Sequence, residues 1–262
     1  MFVVSDVVNP HDGTTIRYDA AGSGPEVILL HGSALSRVMW RGLGYVSGLS
    51  DYRTLRIDLR GHGRSGKPHE QEAYRMDRFV EDVLAVMDAE SVDTATVMGY
   101  SLGGRLAFAL AEAAPDRVSS LVSLGGSPRK QDGQYERVFF KGYLETLKAG
   151  DIDGFADKTG VDPATRAAFV ANDPLALAAL FEYTELNDVG VSHDALAHMD
   201  IPALLMAGTR DEPRFSEARE AASIMPNAEF VALEGRTHGQ TLFPNDEILN
   251  AVLPFLDQVW RR

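Results

Sequence analysis

Apolar and polar residues change rhythm along the chain, and the changes separate strands from helices. Thr14–Tyr18 alternates in period two after the turn pair Asp12-Gly13, which predicts a partly exposed edge strand. The wholly apolar run Val27–Leu30 and the stretches Ala95–Tyr100, Val118–Leu124 and Ala203–Ala207 predict buried strands, joined by candidates at Thr54–Leu59 and Glu229–Leu233. Between them the spacing shifts to threes and fours. Phe79, Val80, Val83, Leu84 and Met87 share one face of a helix over Asp77–Met87. Leu102–Ala114 is rich in Ala and Leu and is stopped by Pro115, while Pro213–Met225 and Asp246–Val259 predict two later helices. Strands buried on both faces and separated by helices make an α/β architecture, a mostly parallel sheet covered on each side. Such a sheet uses right-handed crossovers and holds its site at the carboxyl ends of the strands.

From Ser127 to Ala195 the strand signals stop. Helical patterns at Tyr135–Leu147, Pro163–Val170 and Pro174–Leu186 follow one another directly. The block is small for a separate domain, so the expected organisation is one core, residues 1–126 and 196–262, with 127–195 inserted as helices over the sheet.

Composition narrows the function. With 45% hydrophobic residues over 262 positions, the chain can bury a large core, which excludes a disordered protein. A formal charge of -13 repels phosphate backbones and anionic lipid, so neither nucleic acid nor a membrane surface is expected as a partner. No cysteine occurs, which removes disulfides, thiolate catalysis and cysteine-ligated zinc. Met1–Val8 has Asp6 and no basic leader, and no run approaches the roughly 20 apolar residues of a membrane span; a cytoplasmic protein is expected.

The candidate chemistry begins at Gly99-Tyr100-Ser101-Leu102-Gly103, set between a buried strand and an Ala-rich helix. A strand that reverses directly into a helix forces a sharp turn at Ser101, and glycines two residues to either side remove the collisions. The turn lifts Oγ above the sheet edge and leaves the Leu102 N–H unpaired at the positive end of the helix. Neither G-x-G-x-x-G nor G-x-x-x-x-G-K-[ST] is present, which excludes the familiar phosphate loops.

A serine hydroxyl needs a base. Of seven histidines, His238 sits on a short Gly-flanked loop after the last strand candidate, above the carboxyl end of the sheet. His31 and His62 precede glycines in loops near strand ends, which brings them structurally near the site, and His62 and Arg64 are expected to shape a loop there rather than react. The acid that orients the imidazole belongs on a neighbouring loop. Asp211, after Ala203–Ala207, is the choice, with Glu212 its direct rival and Glu234 and Asp246 weaker ones. For the oxyanion, Leu102 N–H is one donor and Ser33 N–H, in the turn after Val27–Leu30, the other.

HGSALSRVMW at 31–40, DLRGHGRSGKP at 58–68, GYSLG at 99–103, GTRDEP at 208–213 and THG at 237–239 together resemble the α/β-hydrolase superfamily, along nearly the whole chain. The order Ser101, Asp211, His238 is also the superfamily's order. The resemblance implies eight strands and a helical cap at 127–195. It is to the branch that holds small esterases, lactonases, cofactor-free perhydrolases and haloperoxidases, dehalogenases, epoxide hydrolases and carbon–carbon bond hydrolases. Dehalogenases and epoxide hydrolases form their ester on an Asp, and the elbow residue here is Ser101. Carbon–carbon bond hydrolases usually carry Gly-Pro-Gly after His-Gly, where this chain has Ser33-Ala34-Leu35.

The expectation is a serine esterase for small or medium apolar substrates, with lactonase, perhydrolase or carbon–carbon bond hydrolase as alternatives, and a slow-turnover small-ligand receptor as the reading from another class. No cofactor or metal is called for, and the chain is expected as a monomer or homodimer. Phe139, Tyr143 and Phe181 in the cap are candidate pocket residues. Trp40 is a fourth, although packing beneath the 31–40 loop is its plainer role.

Overall fold

The apolar runs lie side by side in one sheet. The computed structural model describes residues 3–130 and 132–261; Met1 and Phe2 of the opening segment fall outside them. Among the described residues there are eight strands: β1 (Val3–Val8), β2 (Thr15–Ala21), β3 (Glu26–Leu30), β4 (Arg53–Ile57), β5 (Ala95–Tyr100), β6 (Val118–Leu124), β7 (Ala203–Gly208) and β8 (Ala228–Leu233). Their spatial order is β1-β2-β4-β3-β5-β6-β7-β8. Pairing is antiparallel from β1 to β2 and from β2 to β4, and parallel across the rest.

Alternation along the central strands feeds two cores. Ile28, Leu30 and Val97 face one side, where they pack with helices α3 (Met76–Ala89), α4 (Leu102–Ala113) and α11 (Arg214–Ile224). Val27, Leu29 and Met98 face the other, against α1 (Val38–Gly42), α2 (Tyr45–Gly48) and α12 (Asp246–Trp260). Covering both faces is what lets these strands carry apolar residues on both of their sides.

One expectation is corrected. The Thr14–Tyr18 pattern predicts an edge strand, but β2 is second in the sheet, and β1 closes the edge with Val7 opposite Ile16. In β1 the valines fall in pairs around Ser5-Asp6, and Val4 and Val8 are about half exposed. Such a strand carries no alternation to read.

Between β6 and β7 the described chain runs through six helices: α5 (Gln134–Val138), α6 (Tyr143–Lys148), α7 (Ile152–Thr159), α8 (Pro163–Val170), α9 (Pro174–Asn187) and α10 (His193–His198). The single helix expected at Tyr135–Leu147 is broken at Phe139–Gly142, where Gly142 adopts φ 87° and starts α6. Asp162 and Asp173 accept the first amides of α8 and α9, each with Pro in the first helical turn. The insertion has its own aromatic centre. Tyr135 stacks on Phe181 at 4.3 Å, and Phe139 lies 5.3 Å from Phe181 and 4.9 Å from Phe155.

Candidate active site

β5 ends at Tyr100 and α4 begins at Leu102, so Ser101 must carry the reversal alone. It does so at φ 54° and ψ −113°, a conformation costing about 1–3 kcal/mol for a residue with a side chain. The Ser101 N–H is held by the Leu124 carbonyl of β6 at 3.0 Å. A Cβ at Gly99 would stand 2.1 Å from the Gly103 carbonyl oxygen, and one at Gly103 would stand 2.1 Å from that of Leu30. Both contacts are with backbone, which cannot swing aside, so the two glycines are required by the approach of α4 to the sheet.

His238 and Asp211 arrive from the loops after β8 and β7. His238 opens a short helical turn, His238–Gln240, fixed by the reciprocal bonding of Thr237 and Gln240. Its Nε2 lies 2.9 Å from Ser101 Oγ, and its Nδ1 lies 2.7 Å from Asp211 Oδ2. With the Ser101 hydroxyl donating to Nε2, the ring proton resides on Nδ1 and is donated to the carboxylate. Thus Ser101, His238 and Asp211, 27 and 137 positions apart in their two pairings, form one hydrogen-bonded line.

Burial works to raise the Asp211 carboxyl, but the His238 hydrogen bond and the Arg214 guanidinium outweigh it, and the group stays below its ordinary value. Arg214 Nη1 stands 3.3 Å from Asp211 Oδ1. For His238, burial and then Arg214 push the imidazole down, against the opposing pull of Asp211. The resting pair at neutral pH is therefore carboxylate and neutral imidazole. The rival Glu212 is exposed and bonds Ser216 Oγ at 2.8 Å.

The loop after β3 passes directly over Ser101. A Cβ at Gly32 would meet the Tyr100 ring at 2.8 Å and Ser101 Cβ at 3.3 Å. The Gly32 carbonyl accepts from His31 Nδ1 at 2.8 Å and from the Leu35 N–H at 3.2 Å. In a planar trans peptide the following N–H points the opposite way, so the Ser33 amide is turned from that anchor. It finds no hydrogen-bond acceptor among the described residues. Leu102 N–H, at the first position of α4, likewise has no intrahelical partner. These are the two amides expected from the sequence, and neither has a hydrogen-bond acceptor among the described residues.

His31 and His62 tie this loop to its neighbour. His31 Nε2 accepts the Leu59 N–H at 3.0 Å, and His62 Nε2 accepts the Ala34 N–H at 3.0 Å. Both rings are fully buried and therefore held neutral, at about 4 for His31 and about 3 for His62. Asp58, also fully buried, accepts the Arg37 and Arg64 amides at 2.8 and 3.0 Å and ion-pairs with the Arg37 guanidinium.

The four candidate pocket residues divide. Phe139, Tyr143 and Phe181 pack together in the insertion. Trp40 is fully buried in the core beneath the opposite face of the sheet, edge-on to Tyr45 at 5.1 Å. Tyr100, which sequence reasoning left out, stacks on His238 at 5.4 Å and donates its phenol to the His238 carbonyl at 3.0 Å. Arg214 was missed as well. An aromatic beside the elbow serine and a basic residue three after the acid were the available signals.

The family model for the alpha/beta hydrolase fold matches residues 25–173, more than half of the chain, and the chain belongs to that family. Two curated relatives are matched over only 42% and 28% of their own lengths; the second, epoxide hydrolase B of Mycobacterium tuberculosis, is 39% identical over 101 residues, 38% of this chain. The pimeloyl-acyl-carrier-protein methyl ester esterase of Aliivibrio fischeri is 26% identical over 94% of this chain and 98% of its own. Among solved structures, a carboxylesterase of Nitrososphaera gargenis superposes with a TM-score of 0.86 over 98% of this chain and 99% of that one, at 18% identity. That likeness is one of fold.

Proposed function

We propose that the protein is a serine hydrolase that cleaves carboxylic esters of small or medium apolar substrates through an acyl-enzyme. The observation that carries this is the line Ser101 Oγ, His238 Nε2, His238 Nδ1, Asp211 Oδ2, with separations of 2.9 and 2.7 Å. An esterase aligned over nearly the whole chain supports the bond type. The alkyl-ester route of epoxide hydrolases needs an Asp where this chain has Ser101.

In this mechanism His238 Nε2 takes the Ser101 proton as Oγ attacks the ester carbon. The carbonyl oxygen, now an anion, is bound by the Ser33 and Leu102 amides. His238 gives its proton to the leaving alcohol, and the intermediate collapses to the acyl-Ser101 ester. Water then repeats the sequence, His238 taking its proton and returning it to Ser101 as the carboxylic acid leaves. Asp211 stays ionised throughout and stabilises the imidazolium. The apolar preference is supported by the aromatic cluster of Phe139, Tyr143 and Phe181, which packs on Tyr135, the residue that bonds the Ser33 side chain.

Replacing Ser101 with Ala tests the reading. Turnover of short-chain nitrophenyl esters should fall on the order of a millionfold, and a fluorophosphonate that labels the parent protein should not label the variant. Undiminished turnover by the pure variant would end the proposal.

A further inference from the structure

Two buried side chains of the insertion reach the loop after β3: Tyr135 bonds the Ser33 side chain, and Asn172 grips the next residue. Asn172 lies in the turn between α8 and α9, 6% exposed. Its Nδ2 donates to the Ala34 carbonyl at 2.7 Å, 138 positions away in sequence. Its Oδ1 accepts the Gly63 N–H at 3.3 Å. Nδ2 also lies 2.9 and 3.3 Å from the Ala168 and Phe169 carbonyls at the end of α8. One amide thus joins the helical insertion to two core loops at once.

Ala34 is where that grip matters. It directly follows Ser33 and holds φ 61°, a conformation that residues with a Cβ rarely adopt. Its N–H is bonded by His62 and its C=O by Asn172, so both peptide groups beside this residue are clamped, one from the core and one from the insertion. Releasing either lets the strained residue relax, and the Ser33 peptide must move with it. Capping α8 would require only the bonds to Ala168 and Phe169, which a solvent-exposed residue can make.

We infer that Asn172 is a positioning residue that sets the Ser33 amide through Ala34, and so makes the insertion part of the oxyanion-binding apparatus. The inference rests on the serine-hydrolase reading. Binding of the ground-state ester does not depend on this amide as strongly as stabilisation of the tetrahedral anion does. Asn172→Ala should therefore lower kcat and leave KM nearly unchanged.

The experiment compares the parent, Asn172→Ala, Asn172→Asp and His69→Ala on a short-chain nitrophenyl ester, with Ser101→Ala as reference. Asp keeps the shape and the acceptor toward Gly63, but offers a carboxylate rather than a donor to Ala34. His69 pairs with Asp173 at 3.0 Å on the surface and ties the same corner of the insertion to the core without touching the oxyanion loop. Both Asn172 variants should lose at least about tenfold in kcat with KM within about twofold. Affinity for an alkyl trifluoromethyl ketone, whose Ser101 adduct carries an oxyanion, should fall in parallel. His69→Ala should match the parent.

Folded Asn172 variants within about twofold of the parent in kcat and ketone affinity would overturn the inference. So would an equal loss in His69→Ala, or failure of both Asn172 variants to fold, since each would make Asn172 a stability determinant alone. Failure of the functional reading shows separately, as parent activity that survives Ser101→Ala.

Discussion

At the scale of single residues, the imidazole proposed as base is kept neutral at neutral pH by its surroundings. Burial and Arg214 lower the His238 imidazole below its ordinary 6.5, and Asp211 compensates only in part. Proton abstraction requires the neutral ring, so activity is lost as pH falls through the lowered value and is retained above it. The acid limb of kcat/KM for a neutral ester should thus have its midpoint below pH 6.5. Arg214→Met removes the second of the two lowering influences and should move that midpoint upward. A parent limb centred above 6.5, or a variant limb that shifts to lower pH, would contradict this assignment of causes. The Met variant also removes the Arg214 pairing with Asp211, so the shift must be read from the profile and not from the absolute rate.

At the scale of elements, the elbow makes the sharpest demand on sequence. Gly103→Ala places a methyl group 2.1 Å from the Leu30 carbonyl oxygen, so α4 must back away from β3. The expected cost is at least about 3 kcal/mol of stability, with loss of fluorophosphonate labelling. Gly42→Ala, at the end of α1 where a Cβ meets nothing within 4 Å, should be neutral or slightly stabilising, and the pair of melting temperatures checks both. The same contrast shows what sequence can disclose. Ala95–Tyr100 and Val118–Leu124 were legible to the residue because both are buried on both faces, and the only polar residues they carry are the small Thr96, Ser119, Ser120 and Ser123. β1 was not, because its exposed edge imposes no alternation. α5 and α6 were read as one helix because their aromatics meet partners on several sides, so no single face marks where the helix breaks. Ser101, Asp211 and His238 were legible because each stands at a loop that follows a strand, in a fixed order. Asn172 and Tyr100 were not: their roles exist only through contacts 138 positions away, to Ala34 and to His238 respectively.

At the scale of the whole molecule, two effects of acid oppose each other. The chain carries a formal charge of -13 at neutral pH, so adding protons relieves repulsion across the surface and favours the folded state. Against this stand His31 and His62, neutral in the folded protein to about 4 and about 3 because burial excludes their charge. Unfolded, each takes a proton near 6.5. Between 6.5 and those folded values the unfolded chain therefore holds more protons, and stability falls as pH falls. Well inside that window each ring contributes a loss of about 1.4 kcal/mol per pH unit, close to 3 for the two together. Surface repulsion is screened within about 8 Å at physiological salt, while the buried rings, which bridge the loops at 31–34 and 58–62, are not. The histidines should win. Urea midpoints should drop steeply from pH 6.5 toward pH 4.5, and the drop should persist when salt is raised. A midpoint that is flat or rising with acid at high salt would mean that the two rings are not neutral struts between the loops at 31–34 and 58–62.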